Sequence, residues 1–252
     1  MRLKPPAPPD AIGCGQDARV PSPKAGCPRS TVKKMKDQMY SELLKACAQP
    51  GCPLCRMSLE AVRRYLASTM YEFVNDGGVR AALRAARGYC NRHAWMVTEG
   101  YGVVLGVAVV QRDLIDATLE ATESVPQRQG GPKIARRLRP TADCPACTHQ
   151  RRMDDIAIQT LLKYLDDPDM ASALEGTCLC LPHLARALEL VQNSDQLELL
   201  LRFQRKSLLE LRGELSELIR KHDYRFVDEG FGPEGDSWLR ATGIVSGERG
   251  AR

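Results

Sequence analysis

Apolar residues in this chain recur at steps of three and four rather than two. Leu59, Val62, Leu66, Met70 and Phe73 share one helical face, which predicts a long helix between Cys55 and the break Asn75-Asp76-Gly77-Gly78. Ahead of it, "KDQMYSELLKACA" has the same spacing and stops at Pro50-Gly51. After the break, "VRAALRAAR" predicts a short helix running to Gly88, a C-cap candidate, and the Cys90–His93 turn opens another helix. Val103, Val107, Val110, Leu114 and Ala117 form a further helical stripe. Its valine-rich start leaves a strand over 103–110 as the alternative.

The pattern then restarts. A helix through Met153, Ala157, Leu161 and Tyr164 runs to the break Asp166-Asp167-Pro168-Asp169. A short helix reaches Gly176, and the Cys180–His183 turn opens "LARALELVQ". Asn193-Ser194-Asp195 caps a long last helix with Leu197, Leu201, Gln204, Leu208, Leu211, Leu215 and Leu218 at heptad spacing, an internal core face or a dimer seam. The two halves repeat in order at an offset of about ninety residues, beyond the usual solenoid period. The expected fold is all-α: two duplicated helical modules, 35–124 and 141–223, related by a pseudo-twofold axis. A basic linker, 125–140, joins them. A disordered proline-rich tail, 1–34, precedes them and a loop-rich C-terminal tail, 224–252, follows. Within that last tail "SWLRATGIV" suggests a short helix carrying Trp238 as a packing aromatic.

Composition changes this picture in one respect. Hydrophobic content of 43% and a net charge of +5 over 252 residues are ordinary, but ten cysteines are not. The start "MRLKPPAPPDAIGCG" has no continuous apolar run of the kind a secretion signal needs, and "VVLGVAVV" is too short to span a bilayer. We therefore expect a cytoplasmic protein in which paired cysteines mean metal or redox chemistry rather than disulfides.

Each half carries Cys-x-x-Cys, an insert of thirty-odd residues, then Cys-x-x-His. The expected sets are Cys52, Cys55, Cys90 and His93 in the first half, and Cys144, Cys147, Cys180 and His183 in the second. Four ligands in two closely spaced pairs suit a structural zinc ion, one per module, and proline inside each "CPxC" stiffens the turn. An iron–sulfur cluster is the alternative cofactor. Neither pair is followed by His in the manner of a c-type haem site, and no βαβ pattern supports a thioredoxin-like dithiol. Cys14 and Cys27 read as free thiols in the tail, and Cys47 and Cys178 as buried ones. His149 is a weaker ligand candidate, His222 reads as complementing the dipole at the end of the last helix, and "KIARRLRP" reads as a solvated charge run. With few aromatics for base stacking, nucleic-acid binding is disfavoured.

With "CPLC", "YEFVNDGGVR", "GYCNRHAW", "CPAC", "CLCLPHL" and the late "IRKHDYRF…GPEGDSW" in view, the chain from about residue 36 to 245 resembles an uncharacterised bacterial family known only as a domain of unknown function. The second module departs from the first in having Ala185 where Trp95 stands. The resemblance implies a helical cytoplasmic protein whose Cys and His positions ligate metal, and no established activity. The function expected is a non-enzymatic zinc-binding scaffold with a protein partner, or a homodimer; the alternative is a redox- or metal-responsive regulator.

Overall fold

In a computed structural model, residues 29–123 and 130–251 are described, with side chains from residue 38 onward except at 227. Eleven α-helices account for the regular structure of these residues: α1 (Arg29–Cys47), α2 (Pro53–Tyr71), α3 (Gly77–Ala85), α4 (Asn91–Thr98), α5 (Val104–Glu123), α6 (Gly131–Leu138), α7 (Pro145–Lys163), α8 (Pro168–Leu174), α9 (Leu181–Leu190), α10 (Ser194–Lys221) and α11 (Ser237–Ser246). Two 3-10 turns, Tyr224–Glu229 and Pro233–Asp236, join α10 to α11. The valine-rich stretch from Val104 is helix, not strand.

Two element boundaries and one side chain differ from expectation. Helix α1 begins at Arg29 rather than near residue 35, because no proline or glycine interrupts the chain between Pro28 and Pro50. The rest of the expected disordered tail, with Cys14 and Cys27, lies outside the described residues. The basic linker holds a helix, α6, which has no buried residue. The C-terminal segment is helical in α11, but Trp238 is 56% exposed; Ser237 and Ile244 make the buried contact instead.

The acidic breaks work as helix starts. The Asp76 side chain accepts from the Val79 N–H at 2.8 Å, and the Asp167 side chain from Asp169 and Met170, both at 3.1 Å. Arg87 and Gly88, both at positive φ, end the α3 segment, and the Gly88 N–H donates to the Leu83 carbonyl at 2.8 Å. Asp113, buried on α5, accepts from Arg80 at 2.7 Å and from Arg84 at 2.8 Å, tying α3 to α5. These guanidiniums, Arg84 first, hold its carboxyl down at about 2.

Helices α2 and α7 form the centre, the most extensive helix pair in the molecule. They run antiparallel. Val62 and Leu66 of α2 share one core cluster with Ala146 near the start of α7. Leu54 and Cys55 at the start of α2 share the other with Ala157, Ile158 and Leu161. At the crossing, the Gln150 Nε2 donates to Ser58 Oγ at 2.8 Å. Helix α1 and α8 close over the second cluster, and α3 to α5 over the first.

The expected stripe holds on α2 for Val62, Leu66 and Met70, which are buried, but Phe73 lies beyond the helix end and is exposed; Val103, just before α5, and Val110 within it are buried as well. On α10 the expected stripe holds from Gln204 to Leu218, both buried, but in the first turns Leu200 is buried while Leu197 and Leu201 are exposed. Gly106 is where α5 meets the end of α2, and a Cβ there would stand 2.3 Å from the Met70 carbonyl oxygen. Backbone cannot yield there as a flexible side chain could. Gly106→Ala should therefore destabilise the fold by about 2–3 kcal/mol, read as a lower midpoint with unchanged slope in urea unfolding.

Candidate metal centres

All four Cys-x-x-Cys/His motifs sit at helix starts. Cys52, Cys90, Cys144 and Cys180 are the N-cap residues of α2, α4, α7 and α9, in extended or near-extended backbone, and none uses its side chain as a cap. In each motif the first carbonyl accepts the opening helical bond four residues on: Arg56 to Cys52 at 3.3 Å, Ala94 to Cys90 at 2.8 Å, Thr148 to Cys144 at 3.1 Å, Leu184 to Cys180 at 2.8 Å. That geometry turns the N-cap and third-residue side chains the same way, off the end of the helix. The unpaired N–H groups there favour thiolate over thiol.

The helix starts meet in pairs, and the pairing crosses between the halves. Site one gathers Cys52, Cys55, Cys180 and His183; site two gathers Cys90, His93, Cys144 and Cys147. In each set the donor atoms all lie within 4.8 Å of one another. The expected grouping within each half is therefore incorrect, although all eight residues fall in one or the other cluster. Helix lengths explain the crossing. Helix α2 has 19 residues and α3 only nine, so at about 1.5 Å per residue the return leg covers roughly half the outward one. Cys90 is left level with the middle of α2. The antiparallel packing puts the start of α7, with Cys144 and Cys147, at that level.

Within site one, His183 Nδ1 stands 3.6 Å from Cys52 Sγ, 3.4 Å from Cys55 Sγ and 3.1 Å from Cys180 Sγ, and Cys55 Sγ is 3.5 Å from Cys180 Sγ. Within site two, His93 Nδ1 stands 3.4 Å from Cys90 Sγ, 3.6 Å from Cys144 Sγ and 3.4 Å from Cys147 Sγ, and Cys90 Sγ is 3.6 Å from Cys147 Sγ. These sulfur pairs are far too long for disulfides, at about 2.05 Å. They match the edges of a tetrahedron whose centre lies about 2.3 Å from each sulfur, edges of roughly 3.7 Å. The donor sets thus fit one tetrahedral ion each.

The outer imidazole nitrogens meet different partners. At site one, His183 Nε2 faces the carboxylate of Asp154 on α7 at 3.6 Å. At site two, Arg92 Nη2 lies 2.9 Å from His93 Nε2 and donates to the Gln150 Oε1 at 2.5 Å. Gln150 also donates to the Ala251 carbonyl at 2.5 Å, so this one amide links site two to the C-terminal segment. Gln150 and Asp154 were not singled out in the sequence, yet they continue the stripe Ala157–Leu161 backward at helical spacing. Polar residues on a face that must be buried are a signal that they hold something.

Protonation follows from this crowding. Burial works against a charged His183, but Asp154 and then the Cys180 and Cys55 sulfurs overcome it and push the ring up to about 11. Hydrogen bonds from Cys52 and Cys55 hold the Cys180 thiol far down, while burial drives Cys52 far up. At site two the contacts of Cys90 with the His93 backbone and with Cys147 outweigh burial and lower its thiol. Burial and then Cys90 push Cys147 up to about 12. Burial and then Arg92 hold His93 down at about 4. Each cluster thus holds one thiol shifted towards thiolate and another shifted away from it, Cys180 and Cys52 at site one, Cys90 and Cys147 at site two, and a bound cation would displace the protons that remain.

The other candidates stand apart from both clusters. His149 stacks on Tyr65 with ring centres 4.5 Å apart, His222 contacts the Leu218 carbonyl at 2.8 Å, Cys47 is buried, and Cys178 accepts from Gln204 at 2.9 Å.

Among the described residues no helix is long and apolar enough to cross a membrane. No solved structure matches the chain. It is similar to an uncharacterized 23.9 kDa protein in the xynA 3' region of Caldicellulosiruptor sp. (strain Rt8B.4), 25% identical over 203 residues, which cover 78% of this chain and 95% of the relative. Residues 35–251, bracketing both clusters, match the "Family of unknown function (DUF6062)". The chain belongs to that family.

Proposed function

We propose that this protein is a two-zinc helical scaffold in which each ion ties one half of the chain to the other, presenting helical surfaces to a protein partner. The observation that carries this is the crossed Cys3His pairing. Three sulfurs and one nitrogen select a borderline-soft, tetrahedral ion. Donor atoms this close support a single ion over an iron–sulfur cluster, which would hold its ligands apart on different irons. Four protein donors leave no position for substrate or an activated water, so the centres read as structural and the protein as non-enzymatic. Near-equal element order in the two halves supports an internal duplication in which the Cys-x-x-His segments have exchanged partners.

The protein-partner part rests on large apolar side chains left in solvent. Trp95, Tyr101, Val104 and Leu105 gather about the turn between α4 and α5, and Ile219, Tyr224, Phe231 and Trp238 about the corner between α10 and α11. A second reading, a metal- or redox-responsive regulator, draws on site two, where three of four donors are only half-buried.

Native mass spectrometry of protein purified without added metal tests the main reading. The expected spectrum shows two zinc ions per chain and no inorganic sulfide, with three cysteine protons lost per ion. A metal-free chain, or a mass increment carrying sulfide, overturns it.

A further inference from the structure

Site one is sealed. Cys52, Cys55 and Cys180 are 0% exposed and His183 1%. The segment after α11 lies directly on its sulfurs. The Glu248 N–H donates to Cys55 Sγ at 3.4 Å, and the Glu248 Oε1 accepts from the Cys52 N–H at 3.3 Å. Gly247 passes close enough that a Cβ would sit 3.7 Å from Cys55 Sγ and 3.9 Å from Cys180 Sγ. Ala251, fully buried, is pinned through its carbonyl by Gln150. Site two has a buried His93, but Cys90, Cys144 and Cys147 all keep solvent access. Beside them Arg151, mostly in solvent, pairs with Asp143 at 2.5 Å.

We propose that site two is an oxidation site for hydrogen peroxide and that site one is its inert counterpart. This rests on the two-ion reading above. Sulfur oxidation requires access as well as thiolate character, and access is what site two has and site one lacks, although both hold three sulfurs and one imidazole. The peroxide transfers one oxygen to a site-two sulfur, giving sulfenic acid and water. A second sulfur attacks it; the S–O bond breaks, the S–S bond forms, and a second water leaves. Two thiolates, one peroxide and two protons become one disulfide and two waters. Cys90 and Cys147, with sulfurs 3.6 Å apart, are the pair placed to do this. The disulfide takes two of the four donors, so the residues left at site two would no longer hold a tetrahedral ion. Because Cys90 and Cys147 come from different halves, a covalent tie replaces the metal one, and the halves stay joined while site two empties.

The experiment treats the full-length two-zinc protein with graded hydrogen peroxide. It follows zinc release with a chromogenic chelator and maps thiols by peptide mass spectrometry. One zinc equivalent should leave at least about tenfold faster than the other, together with a peptide pair cross-linked through Cys90 and Cys147. Glu248→Ala, which removes an anchor of the cover, should speed the slow equivalent and leave the fast one unchanged, with helicity intact by circular dichroism. Two ions leaving at one rate, a first cross-link within Cys52, Cys55 and Cys180, or a slow phase unmoved by E248A overturns the proposal while the scaffold reading stands. A chain that holds no zinc at the outset overturns both.

Discussion

Chelating the two proposed ions is expected to unfold both halves together, in one transition. Each centre takes two donors from before residue 100 and two from after residue 140, so neither half owns a complete site. Structural zinc in small Cys/His sites contributes about 10 kcal/mol or more of apparent binding free energy at neutral pH. The net stability of a domain is about 5–15 kcal/mol. Two such ions therefore outweigh the margin by which the fold survives. Removing them also leaves three thiols and an imidazole at each of two crossings, and at site one, where all four are buried, nothing offsets their desolvation. A chelator strong enough to strip both sites should lower the melting midpoint by at least about 20 °C, or abolish the helical signal at room temperature. Circular dichroism at 222 nm and hydrogen exchange, read in parallel, check the cooperativity. Protection should vanish from α2 and α7 at the same chelator concentration. Two separate transitions, one per half, would mean that the crossed ties do not govern stability.

The reason for that cooperativity was half legible in the sequence. Helical stripes such as Val62–Leu66–Met70 were plain, because one face of a half-buried helix must be apolar every three or four residues. The eight donors were plain as well, since paired Cys and His at two-residue spacing have few other uses. Their partnership was not. Spacing along the chain gives the length of an insert, and an insert of thirty-odd residues permits closure within a half. What forbids it is the ratio of α2 to α3, 19 residues against nine, together with the antiparallel packing of α2 on α7. The first was available from the turn signals and the second was not, because which helices pack is decided between distant segments. The residues behind the histidines divide the same way. Asp154 and Gln150 sit on the stripe that must be buried and were readable as misplaced polar groups. Glu248 reaches site one only because α11 folds back across the molecule, and no local pattern announces that.

Cys90→Ser separates the crossed pairing from the within-half alternative by which thiols it frees. In the crossed arrangement it removes one donor from site two. Cys144 and Cys147 lose their ion and their protection, while Cys52 and Cys55, held with Cys180 and His183, keep theirs. Pairing within a half would expose Cys52 and Cys55 instead. Alkylation with N-ethylmaleimide under native conditions, followed by peptide mass spectrometry, should show Cys144 and Cys147 reacting at least about tenfold faster than in the parent protein, with Cys52 and Cys55 unchanged. Cys180→Ser is the mirror experiment: it frees Cys52 and Cys55 and leaves site two loaded. The two variants should differ in severity. At site one the orphaned thiols and His183 are sealed under the C-terminal segment, where an unsatisfied polar group costs about 1–3 kcal/mol, so the melting midpoint should fall further. At site two the freed sulfurs already reach solvent and water offsets much of that cost. A Cys180→Ser chain that melts no lower than Cys90→Ser would mean that burial does not set the worth of these centres.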